Sequence, residues 1–102
     1  MSIQIGNYGF DGPYGNAASL SNLSGVYAVL TRASGTDSYT IVDIGESGGI
    51  RDRVTNHDRQ QSWARYKKAA GLSYAAYYCD ERNRMAVEKA LRGAYNPPCG
   101  DR

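Results

Sequence analysis

Residues 25–57 constrain the fold of this 102-residue chain more than any other stretch. They hold two short apolar runs, GVYAVL at 25–30 and YTIVDI at 39–44, with polar residues and Gly35 between them. Both runs are rich in β-branched and aromatic side chains, which suit a pleated, half-buried surface, so the pattern predicts a β-hairpin. Gly45-Glu46-Ser47-Gly48-Gly49 follows at once. The apolar period then becomes helical over 49–57, with Ile50 and Val54 inward. Arg53 and His57, four apart, are expected on one face of that helix. Side chains alternate along a strand, so Val26 and Tyr27 point to opposite faces. By the same rule Tyr39, Ile41 and Asp43 share one face of the second strand, and Thr40, Val42 and Ile44 the other. The face carrying Val42 and Ile44 is the better core candidate, which leaves Asp43 on the face that can hold a site.

The rest of the chain is expected to dress this unit. Residues 1–24 carry Tyr8, Phe10 and Tyr14, too many aromatics for a flexible linker, and read as a packed extension before one domain at 25–102. Ile3 and Ile5 alternate as in an edge strand, and Gly12-Pro13 reads as a turn. A second helix is expected over 59–70, with Trp63, Tyr66 and Ala70 inward and Gly71 ending it. A third strand is expected over 74–79. Asp80 then caps a helix over 81–94, with Met85, Ala86, Ala90 and Leu91 inward and Glu81, Arg82, Lys89 and Arg92 in water. Pro97-Pro98 forbids continuation. The order β-β-α-α-β-α implies an α+β fold: a small, mainly antiparallel three-stranded sheet flanked by helices.

Composition narrows the class without naming it. Apolar residues make up 41% and charged residues 22%, ordinary values for a globular domain. No apolar run is long enough to span a membrane and no signal pattern opens the chain, so a cytoplasmic location without membrane partners is the expectation. Cys79 and Cys99 have no metal-ligand spacing and read as lone thiols. Net charge is only +2. Its distribution says more: residues 51–68 hold Arg51, Arg53, Arg59, Arg65, Lys67 and Lys68 against Asp52 and Asp58. Such a stripe suits phosphate binding, and equally suits an ordinary solvated helix face.

Four pieces in order resemble the GIY-YIG nuclease family. Gly25-Val26-Tyr27 is similar to the first family tripeptide, and Asp43-Ile44-Gly45 to the second, with Asp for Tyr. Arg53 and His57 fall on the family's helix arginine and histidine. Glu88-Lys89-Ala90-Leu91, then Tyr95-Asn96-Pro97-Pro98, resembles the family's ending. The likeness covers about residues 25–98. It implies a metal-dependent endonuclease that hydrolyses DNA phosphodiester bonds, with Tyr27 as base, Arg53 on the phosphate and Glu88 on one Mg²⁺ or Mn²⁺ ion. Three positions depart from the family pattern: Asp43, Glu46 where some members have lysine, and Gly100 near a family asparagine.

The residue types fit those roles chemically. Cutting a phosphodiester needs an activated water, charge relief on phosphoryl oxygens and help for the leaving oxygen. A phenol acts as a base only if nearby cations lower its pKa. Arginine offers a planar donor fork, and one carboxylate can hold a hard cation when phosphate and waters complete its shell. His57 could relay a proton or hold Tyr27 in place. Asp43 could be a second metal ligand, a group orienting water, or the mark of a lost activity. Singly, each residue has an ordinary reading: Tyr27 as a half-buried sheet residue, Arg53 and Glu88 as solvated helix residues, His57 at a helix end. The candidate set is Tyr27, Asp43, Arg53, His57 and Glu88, with Arg51, Arg59, Arg65, Lys67 and Lys68 for DNA. The alternatives are a non-catalytic DNA-binding or interaction module on the same fold, and a small structural subunit with a tyrosine-rich interface. A homodimer or partner protein would set any sequence specificity.

Overall fold

Strand β3 (Gly25–Thr31) is buried at all seven positions, and the fold is built around it. A computed structural model describes residues 1–100; the last two residues of the domain expected at 25–102 lie outside that range. β3 pairs antiparallel with β4 (Thr40–Ser47) on one side and β5 (Leu72–Tyr78) on the other. Beyond β5 lie β2 (Tyr8–Tyr14) and then β1 (Ser2–Ile5), so the sheet has five strands in the order β1-β2-β5-β3-β4. The expected three-stranded sheet is therefore corrected to five. Residues 1–24 are no separate cover: their hairpin extends the same sheet. Gly12-Pro13 is not the expected turn but lies inside β2, where the register shifts between Asp11 and Tyr14. The full order is β-β-β-β-α-α-β-α, with a 3-10 turn at Ala17–Ser19 before β3. It is an α+β architecture. Among the described residues no helix is long and apolar enough to cross a membrane.

Both sheet faces are covered, which is why β3, an interior strand, is apolar without alternation. One core holds Phe10, Val26, Ala28, Leu30 and Ile44 under Val87 and Leu91 of α3 (Glu81–Tyr95). The other holds Tyr27, Val29 and Val42 under Ile50 and Val54 of α1 (Ile50–Thr55) and Trp63 of α2 (Gln60–Arg65). Val42 and Ile44 are thus on opposite faces, against the expectation from alternation. Val29 pairs with Asp43 and Leu30 with Ile41, so Val42 is an extra residue. This β-bulge turns Val42 onto the face already carrying Asp43.

The first two helices are shorter than their periodicity suggested. α1 stops at Thr55 because Thr55 Oγ1 and Asn56 Nδ2 donate back to carbonyls of Arg51 and Asp52, in competition with further helix. His57 therefore follows the helix rather than sharing a face with Arg53. α2 stops at Arg65 because the Thr31 hydroxyl accepts from the Lys68 N–H and donates to the Gly71 carbonyl, drawing 68–71 onto the end of β3. Trp63 is buried as expected, whereas Tyr66 is 47% exposed and Ala70 is exposed. β5 starts at Leu72, ahead of the expected 74. Asp80 caps α3 by accepting from the Asn83 N–H, as the sequence implied. Its inward residues are Val87, Leu91 and Arg92; Met85, Ala86 and Ala90 face outward. Arg92 was expected in water, but it is 3% exposed because its partner Asp43, 49 positions away, is buried too.

Candidate active site

Three elements place the phenol of Tyr27. β3 directs it onto the α1–α2 face, and its cross-strand partner is Gly45. A Cβ at Gly45 would collide with the Tyr27 hydroxyl and ring, so only glycine lets the phenol lie across β4. The connection after α1 brings His57 alongside, with Tyr27 Oη 2.5 Å from His57 Nε2. Arg59 follows two residues later, and its Nη2 lies 3.4 Å from Tyr27 Oη.

The backbone N–H of Arg59 donates to His57 Nδ1 at 2.9 Å. An amide can only donate, so Nδ1 is the bare nitrogen and neutral His57 carries its proton on Nε2, facing Tyr27 Oη. Burial, followed by the charges of Arg53 and Arg59, pushes the His57 pKa down from 6.5 to about 4. The ring is neutral at neutral pH. Its 3.2 Å approach to Asp58 Oδ1 then joins two acceptors, and it becomes a bond only if the ring is protonated.

Burial, then the charge of Asp43, raises the Tyr27 pKa from 10 to about 12, against the pull of Arg59, Arg53 and Arg92. The requirement that cations lower this value is not met in the free protein. The Nε2–H of His57 and the Arg59 guanidinium nonetheless both point at the phenol oxygen, and donors to the charged form favour a phenolate.

Asp43 is fully buried and saturated. Oδ2 accepts from Arg59 Nε at 2.9 Å and Trp63 Nε1 at 2.7 Å. Oδ1 accepts from Arg92 Nη1 at 2.9 Å and from the Ile44 N–H at 2.9 Å. Four donors leave it no lone pair directed at a metal or a water, so it positions other groups. The hydrogen bond and charge of Asp43 outweigh the burial of Arg59 and hold its guanidinium above its ordinary pKa. Arg92 also donates to the Ile44 carbonyl and, at 2.7 Å, to the Cys99 carbonyl, which pins the C-terminal segment over this face. Gly100 has φ +96, and a Cβ there would run into the Arg92 guanidinium.

Arg53 borders this centre, its charge pulling the Tyr27 and His57 pKa values down; Glu88 stands on α3. Arg53 is exposed on α1, with Nη2 3.2 Å from Asp58 Oδ1. Glu88 sits on α3 one turn from Arg84 and one turn from Arg92. Arg84 Nε meets Glu46 Oε1 at 2.6 Å, while Arg92 reaches Asp43 and the Ile44 carbonyl. α3 covers the sheet face of Val26 and Ile44, whereas the Tyr27 hydroxyl lies on the α1–α2 face. Glu88 Oε2 is 4.0 Å from Arg92 Nε. Among the described residues no group of three or more His, Cys, Asp or Glu side chains could hold a metal ion.

The stripe of bases divides. Arg51, Arg65, Lys67 and Lys68 are exposed, with Lys68 Nζ 3.0 Å from Thr40 Oγ1. Arg59, one of the bases expected to bind DNA, is half-buried beside Tyr27. Arg92 and Trp63 were not anticipated as part of the site; the available clue was that an aspartate in an apolar strand demands buried donors. Both cysteines are free thiols, and Cys99 is buried. No protein-family model, curated protein or solved structure matches this chain.

Proposed function

We propose that this protein is a cytoplasmic, metal-dependent endonuclease of GIY-YIG type that hydrolyses DNA phosphodiester bonds. The observation that supports it best is the Tyr27 hydroxyl lying against Gly45, with His57 Nε2 and Arg59 directed at its oxygen. In this reading Tyr27 accepts the proton of the attacking water. His57 and Arg59 stabilise the phenolate, which a site at about 12 otherwise disfavours. Arg53 binds the scissile phosphate through its planar fork, with Asp58 displaced from it. Glu88 would hold Mg²⁺ or Mn²⁺, which supplies charge relief at the phosphoryl and leaving oxygens. Asp43 and Arg92 fix Arg59 and the C-terminal segment without touching the reacting atoms. Arg51, Arg65, Lys67 and Lys68 hold the flanking backbone, and a second copy or a partner protein supplies sequence specificity.

Supercoiled plasmid tests this with Mg²⁺ or Mn²⁺, a chelator control, and the variants Tyr27→Phe and Glu88→Ala. Nicking that needs the metal, the phenol and the carboxylate is the expected result. Nicking at wild-type rate by Glu88→Ala would remove the metal role from this residue. The raised phenol and the saturated Asp43 favour a second reading, a non-catalytic DNA-binding module. It predicts a salt-sensitive gel shift with no nicking.

A further inference from the structure

We infer that the cleft between α2 and the C-terminal segment is a nucleotide subsite, holding an unpaired nucleotide beside the phosphate to be cut. The inference rests on the endonuclease reading above. The cleft measures about 360 Å³ and is lined by Asp58, Arg59, Ser62, Arg65, Tyr66 and Pro98, with residues 99–100 closing it. That is within the size range of small-ligand pockets, which begin at about 300 Å³. Its walls offer what one nucleotide presents. Arg65 supplies charge for a phosphate, Ser62 a hydroxyl for sugar or phosphate, and the Tyr66 ring a stacking face for a base.

Two observations connect the cleft to the candidate active site. Arg59 lines the cleft and its Nη2 lies 3.4 Å from Tyr27 Oη, so a group resting on Arg59 is one side chain from the phenol. Tyr66 is 47% exposed at a position where helical spacing would have buried it; the chain leaves the helix at this residue and turns the ring out. Asp58 repels phosphate, but it stands beside Arg53 and His57, whereas Arg65 is carried by α2 and offers its charge from there. A base within a duplex is already stacked on its neighbours and cannot give its face to Tyr66. The occupant is therefore an unpaired nucleotide, and the substrate class is DNA with a single-stranded tail or branch next to the cut.

The full-length protein is titrated with a thymidine dinucleotide and, separately, with inorganic phosphate, followed by NMR. Cleavage of a tailed duplex is compared with that of a blunt duplex of the same sequence. The dinucleotide is expected to bind more tightly than phosphate, to weaken about tenfold in Tyr66→Ala, the scale of one stacked base, and to be unaffected in Tyr66→Phe. The tailed substrate is expected to be cut faster, and Tyr66→Ala to erase that preference. Equal binding of dinucleotide and phosphate, or Tyr66→Ala binding like wild type, overturns the subsite whatever the cleavage result. Tyr66-dependent binding with no cleavage of either duplex keeps the subsite and overturns the endonuclease reading.

Discussion

Tyr27 Oη lies 2.5 Å from His57 Nε2, and the two residues reach each other across 30 positions of sequence because β3 and the end of α1 converge on one sheet face. The imidazole is held in the tautomer that donates to the phenol by the Arg59 backbone N–H behind it. A buried tyrosine with an oriented donor is prepared to lose its proton, yet burial holds that proton on.

If Tyr27 is the base, cleavage should depend steeply on pH. With the phenol raised to about 12, the phenolate fraction grows about tenfold per pH unit from neutrality upward. The logarithm of single-turnover rate should rise with unit slope over pH 7–9, a span chosen for roughly constant folding. A flat profile in wild type would exclude Tyr27 from that role.

Stability should fall on mild acidification through His57. Its folded pKa of about 4 is below the ordinary 6.5, so the unfolded chain binds a proton more readily than the native one. The stabilisation is fully present above pH 6.5 and is lost as pH falls from there toward 4, by up to about 3 kcal/mol. Urea melts across this window should show the decline in wild type and a shallower one in His57→Gln. Equal slopes would mean that the carboxylates, Asp58 among them, carry the effect.

Asp43→Tyr, which would supply the tyrosine of the proposed family, should not rescue or improve activity. It removes the acceptor of Arg92, itself 3% exposed, and places a large ring in a filled interior. Breaking a buried pair costs about 3–5 kcal/mol, and overpacking adds to it. Thermal melting should show a large drop or no cooperative transition. A folded variant with raised nicking would instead identify Asp43 as a mark of lost activity.

Gly45→Ala should act on Tyr27 alone among the site residues. The added methyl enters the space of the phenol, forcing it off β4, at a cost of about 1–3 kcal/mol. Nicking should fall far more than DNA binding, since Arg51, Lys67 and Lys68 lie elsewhere. Gel shift and nicking measured on the same preparation separate the two effects.

If the protein binds DNA as proposed, neutralising exposed bases should weaken that binding evenly across sequences. Arg51→Gln, Lys67→Gln and Lys68→Gln should each lower the slope of log affinity against log salt by about one. Arg59→Gln should behave differently, disturbing Asp43 and Tyr27 before it changes the salt slope.

The strands around the site were legible because their signals are local. GVYAVL is apolar without interruption, which suits a strand buried on both faces, and Asp80 before a helical pattern is a cap whose partner is three residues away. The N-terminal strands were only half visible: Ile3 and Ile5 alternate, but Gly12-Pro13 concealed a strand that continues past an irregularity. The end of the second helix was not legible because Thr31, which draws 68–71 out of it, stands almost forty residues earlier.

The amino-acid order determined which residues could do chemistry, because phenol, imidazole, guanidinium and carboxylate bring their properties with them. It also determined the β3–β4 hairpin and the long final helix, since both rest on nearest-neighbour geometry and hydrophobic period. Only the tertiary structure decided the state of those groups. A one-residue bulge brought Val42 onto the face of Asp43, and three distant donors, Arg59, Trp63 and Arg92, locked Asp43 as a positioning group. Burial, a property of the whole packed domain, set the Tyr27 and His57 pKa values in opposite directions from the same cause: each ring is held in its uncharged form.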